Sequence, residues 1–275
     1  MPTLEDVKSF WNKNPLLKGE LEQEIGSKEW FEQFDILKRY LMREDRLPLW
    51  IGNELVDDKS VLDVGCGPGY WCRALRTSKA EYTGIDISEE SIKLALKSAA
   101  IFNTSCNIMV GNAESLDFPD NHFDHVISEG VIHHTPNTQQ ALQEIVRVMK
   151  VNGTATISIY YKNIILRTPL LFNSCLKIMN FLQLSMKGRQ REKMQHAASV
   201  EDFIRMYDGA DNPIGKGYTR NDFFKILPRN VTITKSYLYF SPLRAFFRNR
   251  LPTFNKILDK YFGLMIAFQI KKTSV

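Results

Sequence analysis

Four carboxylates, two adjacent histidines and a run of glycines stand where chemistry could use them. Gly65, Gly67 and Gly69 alternate directly after Val61-Leu62-Asp63-Val64. Val61, Leu62 and Val64 read as a short buried strand, and Asp63 interrupts it with a charge a core would not choose. Glycine permits backbone angles and close approach that side chains forbid. Pro68 is tolerated in a first helical turn, and Trp71, Ala74 and Leu75 follow at helical spacing. Strand, glycine turn and helix together make a place to lay a ligand on a helix N-terminus. The dinucleotide fingerprint G-x-G-x-x-G fails here, because Tyr70 stands where its third glycine would fall, and no G-x-x-x-x-G-K-[ST] occurs. Asp86 lies 17 residues past Gly69 and closes Tyr82-Thr-Gly-Ile-Asp86. An acid at such a strand tip can hold both hydroxyls of a ribose; the plain alternative is a surface or capping acid. His133 and His134 could take a proton from a hydroxyl or amine; the alternative is that one of them packs or caps its loop.

Stepwise along the chain, the elements that must position these groups are legible. Trp30, Phe31, Phe34, Leu37 and Leu41 make an apolar stripe at steps of three and four, so residues 29–40 are predicted helical. Pro48 starts another short helix. Phe10 and Trp11 read either as core or as a lid. Strands are expected at 61–64, 82–86, 106–110, 123–128 and 154–161. Ser88 caps the helix after the second strand. Leu142, Ile145, Val146 and Met149 give the helix before the fifth strand a clear apolar stripe. Alternating strands and helices imply right-handed crossovers and a mainly parallel sheet. Later, Thr219 opens a helix, residues 231–240 alternate as a sixth strand, and residues 263–270 form the last.

The motifs run in order: Asp63-x-Gly-x-Gly-x-Gly, Gly84-Ile-Asp86-Ile-Ser, Gly111-Asn-Ala-Glu114, Phe123-Asp-x-Val-Ile-Ser, Ile132-His-His134 and Glu144-x-x-Arg147-Val-x-Lys150. As a set, over roughly residues 47–162, they resemble the class I S-adenosylmethionine-dependent methyltransferases, and in particular the ubiquinone-biosynthesis-like small-molecule group. Lys150-Val-Asn-Gly153 departs from the usual Lys-Pro-Gly-Gly, but Asn-Gly still makes a turn. The resemblance implies a Rossmann-like, doubly wound α/β fold with a seven-stranded, mainly parallel sheet. Residues 1–46 would form an N-terminal helical cap, 47–162 the cofactor-binding core, 163–218 a helical substrate-cover insertion, and 219–275 the rest of the core sheet.

It also implies roles. The backbone from Gly65 through Cys66 and Gly67 to Gly69 would approach the methionine portion of S-adenosylmethionine or of its product, S-adenosylhomocysteine. Asp63 would organise that loop or hold the amino group through water. Asp86 would hold the ribose and Ile87 the adenine, with Asn112, Ala113 and Glu114 at the adenine edge. Ser128 and Glu129 would meet the amino end, and Trp11 would close over the cofactor. His133 is the candidate base. His134, Tyr160, Tyr161, Asp208 and Asn212 are candidate substrate contacts, with ordinary strand packing the alternative for the two tyrosines. His122-x-x-His125 lacks companion ligand spacing, so no metal is expected.

Composition narrows the alternatives. A length of 275 residues can bury a sizeable core. The N-terminus has no apolar h-region, so a secretory signal is not expected, and four cysteines without paired spacing fit a reducing cytoplasm. Residues 1–150 carry 16 Lys/Arg against 24 Asp/Glu, whereas residues 151–275 carry 20 against 7. A basic half can serve an anionic substrate, a membrane surface or RNA, or be a solvated face. RNA methylation stays the alternative function, although no Asn-Pro-Pro-Tyr or Pro-Cys motif and no separate RNA-binding module is present. A non-enzymatic cofactor-binding protein is the third reading. Residues 164–186 are too apolar for a loop and too interrupted to span a membrane. They are expected to roof the substrate pocket, with a dimer interface or a membrane-surface helix as the alternatives and Lys187–Lys193 at the rim.

Overall fold

The computed structural model describes residues 2–181, 191–241 and 252–274. The N-terminal part is helical: α1 (Leu4–Lys13), α2 (Lys28–Met42), α3 (Pro48–Ile51) and α4 (Asn53–Val56). Thr3 caps α1 in a capping box with Asp6, and the Ser27 hydroxyl accepts from Trp30 N–H at the start of α2. The core then alternates β1 (Ser60–Val64), α5 (Tyr70–Ala74), β2 (Glu81–Asp86), α6 (Glu89–Ile101), β3 (Asn107–Val110), β4 (Phe123–Glu129), α7 (Thr138–Val148) and β5 (Met149–Tyr161). The insertion holds α8 (Ile164–Arg167), α9 (Pro169–Phe181) and α10 (Val200–Arg205). The chain ends with β6 (Gly217–Tyr218), α11 (Arg220–Ile226), β7 (Val231–Tyr239), α12 (Pro252–Phe262) and β8 (Met265–Lys272).

The strand path is β3-β2-β1-β4-β5-β8-β7, and the two-residue β6 adds itself to the end of β5. The first five strands and β6 pair in parallel, while β8 runs antiparallel between β5 and β7. The path therefore has the expected seven strands, and β6 is an eighth too short to carry a pattern. Its order reverses at β1, which lies between β2 and β4, so the crevice for a ligand opens at the C-terminal ends of these strands. β5 begins at Met149 rather than 154: Met149 pairs with Phe123, and after a shift of register, with Asn152 at a left-handed φ of 65°, Thr154 pairs with His125.

Each face of the sheet has its own core. Leu62, Val126, Ala155, Ile157 and Phe268 meet α7 and α11 on one side; Val61 and Ile127 meet α2, α3, α5 and α6 on the other. The second core is aromatic, with Trp50 stacked on Trp71 at 5.4 Å and Trp30 packed on Phe31 and Phe34. Inside it lies a fully buried cation. Arg73 makes a forked pair with Asp35 of α2 at 2.6–3.0 Å, donates to the Pro68 carbonyl and to Ser98 Oγ at 2.7 Å each, and rests against Phe31 and Phe34. Its five N–H groups match this fork, which lysine could not do.

In the insertion, Phe172 packs on Phe203 at 5.6 Å, while Leu170, Leu171, Ile178 and Phe181 face outward. Leu182, Met186 and residues 187–190 of the expected basic rim lie outside the described residues.

Removing one partner of a buried pair strands the other. Arg73→Leu is expected to lower the unfolding free energy by about 3 kcal/mol in urea titration, and an unchanged midpoint would show that Asp35 and Pro68 do not depend on it.

Candidate active site

The glycine turn takes its shape from three left-handed residues, with φ of 79° at Gly65, 50° at Gly67 and 78° at Gly69. A Cβ at Gly65 would come within 2.2 Å of the Val131 side chain, whereas one at Gly67 would meet nothing within 4 Å. Gly65 is thus required by packing, and Gly67 opens onto free space. Gly69 is the residue before α5 and packs on Ala95. The turn is tied to the end of β2: the amides of Gly65 and Cys66 both donate to the Ile85 carbonyl at 2.7 and 2.8 Å. Gly67 N–H donates to Asp86 Oδ2 at 2.9 Å, and Ser88 N–H to Asp86 Oδ1 at 2.8 Å.

A cleft open to solvent lies over this turn. Its floor is Gly65, Gly67, Asp86 and Ile87, and Asn112 and Ala113 form a side wall. Glu129, Gly130, Val131, His134 and Thr135 line another part, and Leu4, Val7 and Trp11 of α1 close over it. Trp11 stands edge-on to His134 at 5.3 Å, and its carbonyl accepts from Ser88 Oγ at 3.2 Å, which anchors the lid to the end of β2.

Other residues named from the sequence lie behind this wall. Asp63 is buried and accepts from Tyr82 Oη at 2.7 Å; burial pushes its carboxyl up to about 7, against the lowering effect of that bond. Cys66 is buried under the turn, with its thiol pushed far up by burial. Glu114 accepts from the Asn137 amide ahead of α7 rather than facing the cleft. Ser128 is buried, and its hydroxyl has no partner among the described residues. Asn212 shapes a turn, donating to the Arg205 carbonyl and accepting from Ile214 N–H. Tyr161 belongs to the core on the α7 side. His125 is also internal: Nε2 meets the Trp50 carbonyl at 3.1 Å, which only accepts, so that nitrogen carries the proton. Burial holds its pKa down at about 4. No cluster of metal-ligating residues occurs among the described residues.

The two neighbouring histidines differ. His133 is fully buried, neither ring nitrogen has a partner among the described residues, and its ring lies 4.2 Å from those of His134 and Tyr160. Burial keeps its pKa far below the usual imidazole value, so it is neutral. His134 reaches the cleft. Its Nδ1 lies 2.6 Å from the Ile214 carbonyl, so Nδ1 carries a proton, and its Nε2 is 3.1 Å from Asp208 Oδ2. Tyr160 Oη donates to the same Asp208 oxygen. The insertion therefore delivers Asp208 to the histidine, whereas α9 contributes nothing to the cleft lining.

Sequence reasoning missed Lys38. It reaches from α2 to Glu129, Nζ to Oε1 2.5 Å, and both side chains are largely buried. Nothing in the sequence pairs residues so far apart. Leu4 and Val7 were also missed, although with Trp11 they fall at i, i+3 and i+7 on one helix face.

Residues 62–157 match the family model described as a methyltransferase domain. A 24-methylenesterol C-methyltransferase of Arabidopsis thaliana is 38% identical over 96 residues, 34% of this chain and 26% of that protein. A demethylmenaquinone methyltransferase of Shouchella clausii is 38% identical over 98 residues, 34% of this chain and 42% of that one. The chain thus spans between about a quarter and two-fifths of these relatives' length. Among solved structures, the complex of the Haloferax volcanii Trm112 methyltransferase activator with a putative methyltransferase aligns with a TM-score of 0.57 at 18% identity, covering 93% of this chain and 100% of that one. Residues 62–157 are thus similar to a methyltransferase domain, and the fold is that of the class I methyltransferases, which use S-adenosylmethionine.

The residues present fit that cofactor. Each Asp86 oxygen accepts one amide and keeps a lone pair for a ribose hydroxyl. Gly67 leaves room where a side chain would stand, and Glu129 offers a carboxylate to an ammonium. Burial pushes the Asp86 carboxyl up to about 6. Ribose hydroxyls donate, so they favour its ionised form. Affinity for S-adenosylhomocysteine is therefore expected to be full above pH 6 and to fall as pH drops through about 6, by up to roughly tenfold per unit. Calorimetry across pH checks this: Asp86→Ala should weaken binding by about 1.5–3 kcal/mol and flatten the profile. A wild-type profile that is already flat would remove the ribose assignment.

Proposed function

We propose that the protein is an S-adenosylmethionine-dependent methyltransferase of a small, apolar, lipid-linked acceptor. The observation that carries this reading is one cleft whose walls hold both the Asp86 carboxylate and the His134 imidazole, under an apolar lid. When bound, the cofactor supplies a methyl group already activated by a sulfonium. The protein's part is to position, to exclude water and to move a proton. Asp86 and the Gly67 backbone hold the ribose side, and Ile87, Asn112 and Ala113 border the adenine. The Lys38–Glu129 pair suits a zwitterionic amino-acid end, with Glu129 for its ammonium and Lys38 for its carboxylate. Leu4, Val7 and Trp11 shut out water.

For proton transfer the reading moves from His133 to the His134–Asp208 pair. His133 has no route to a substrate, because it is sealed, and burial makes it a weak base. His134 turns Nδ1 to the Ile214 carbonyl and Nε2 to Asp208, which Tyr160 also holds, so it orients that carboxylate. A hydroxyl or acidic C–H on the acceptor would give its proton to Oδ1 of Asp208, held by His134, as its nucleophilic atom takes the methyl group. An apolar acceptor is supported by the Leu4, Val7 and Val131 lining and by relatives named for sterol and demethylmenaquinone substrates. Residues 163–218 serve as the substrate cover through the stretch around Asp208.

Transfer of labelled methyl from S-adenosylmethionine to a panel of sterols, quinols and phenolic lipids tests the reading. Label in such a lipid is expected. His134→Ala should lower kcat by about 10²-fold or more while leaving cofactor affinity within a few-fold. Label appearing in RNA and in no small acceptor would replace this reading with the RNA alternative. Full turnover in His134→Ala would dismiss the proton-accepting pair.

A further inference from the structure

The insertion carries an apolar surface that the cleft does not use. α9 is apolar on both sides. Phe172 and Leu176 face the core, while Leu170, Leu171, Ile178 and Phe181 project outward, Leu170 with 75% and Phe181 with 85% of its surface exposed. At 100° per residue, Leu170, Lys177, Ile178 and Phe181 fall on one side of the helix. α7 shows the ordinary arrangement, with its apolar residues buried and none of the large ones exposed. A helix with large apolar residues on its outer side as well as its inner one leaves a surface that calls for cover, whereas single exposed leucines elsewhere would need no such explanation.

We propose that α8 and α9 form a docking surface for an anionic lipid bilayer, with α9 lying in the interface. The described part of α9 is too short to span. The 13 residues of α9 reach about 20 Å at 1.5 Å each, short of a hydrocarbon core of about 30 Å, and no described helix is long and apolar enough to cross a membrane. Charge selects the partner. From Asn163 to Phe181 the sequence has no Asp or Glu, and its cations are Arg167 and Lys177. Lys177 stands among the exposed apolar residues of α9, where its stem can lie along them and its ammonium can reach phosphate headgroups. A second copy fits less well, because a two-fold contact brings the same cations together without an acid to meet them. The purpose assigned to the surface rests on the lipid-linked acceptor proposed above, since the same insertion brings Asp208 to His134. The binding itself does not.

Flotation of the full chain with phosphatidylcholine vesicles, with and without phosphatidylglycerol, tests the proposal. Co-flotation with the anionic vesicles is expected, weakening as salt is raised. Leu170→Ser with Phe181→Ser should reduce it by roughly tenfold or more and leave the melting temperature and S-adenosylhomocysteine affinity unchanged. Wild-type protein that stays with the pellet, or a double variant that floats as well, overturns the proposal. So does a wild-type dimer in analytical ultracentrifugation that the double variant converts to monomer, which would make this face an interface between copies. Vesicle binding without methyl transfer to any lipid would leave the docking surface standing and remove the lipid-linked acceptor.

Discussion

Three backbone amides donated to the end of β2 hold the site together. Gly65 and Cys66 give theirs to the Ile85 carbonyl, and Gly67 gives its own to the Asp86 carboxylate. This is possible only because the turn is left-handed at Gly65 and Gly67, and because β1 and β2 pair in parallel with Val64 opposite Ile85. The same bonds that shape the turn also fix the acid facing the cleft. Moving either strand by one residue would turn Asp86 to the other face of the sheet.

The helical cap depends on this turn and supports it in return. Arg73 holds the Pro68 carbonyl from below and Asp35 of α2 from the side. Such a buried cation is costly unless its donors are met, and here the fork, the carbonyl and the Ser98 hydroxyl take four of its five N–H groups. Lys38, a turn further along α2, then meets Glu129 at the cleft. One helix thus anchors the glycine turn through Arg73 and, through Lys38, holds the Glu129 carboxylate that lines the cleft, while α1 supplies the lid.

How much of this was legible follows from where each signal resides. The glycine turn, the place of Asp86 at a strand tip and the mainly parallel sheet were readable, because backbone angle, strand tip and crossover rule are local demands that the sequence must meet. The choice between His133 and His134 was not. Adjacent residues in a short 3-10 turn at 132–134 follow no period that assigns an inside and an outside, and burial alone separates them. Asp208 was read as a possible substrate contact, but its partner His134 comes from a different stretch of chain, and so does Glu129 for Lys38. β6 escaped because two residues hold no alternation. Glu114 stands in its motif yet turns its carboxylate to the Asn137 amide, since a residue type marks a loop without fixing its rotamer. The apolar residues at 164–186 were expected to roof the pocket; only the exposed side of α9 distinguishes a roof from an outward-facing surface.

A structure of the protein with S-adenosylhomocysteine bound tests the central claim most directly. The account predicts the ribose hydroxyls on Asp86, the methionine portion along Gly65–Gly67 with its ammonium at Glu129, and the sulfur directed toward the side of the cleft that holds His134. A cofactor seated elsewhere, or one whose sulfur points away from His134 and Asp208, would contradict it.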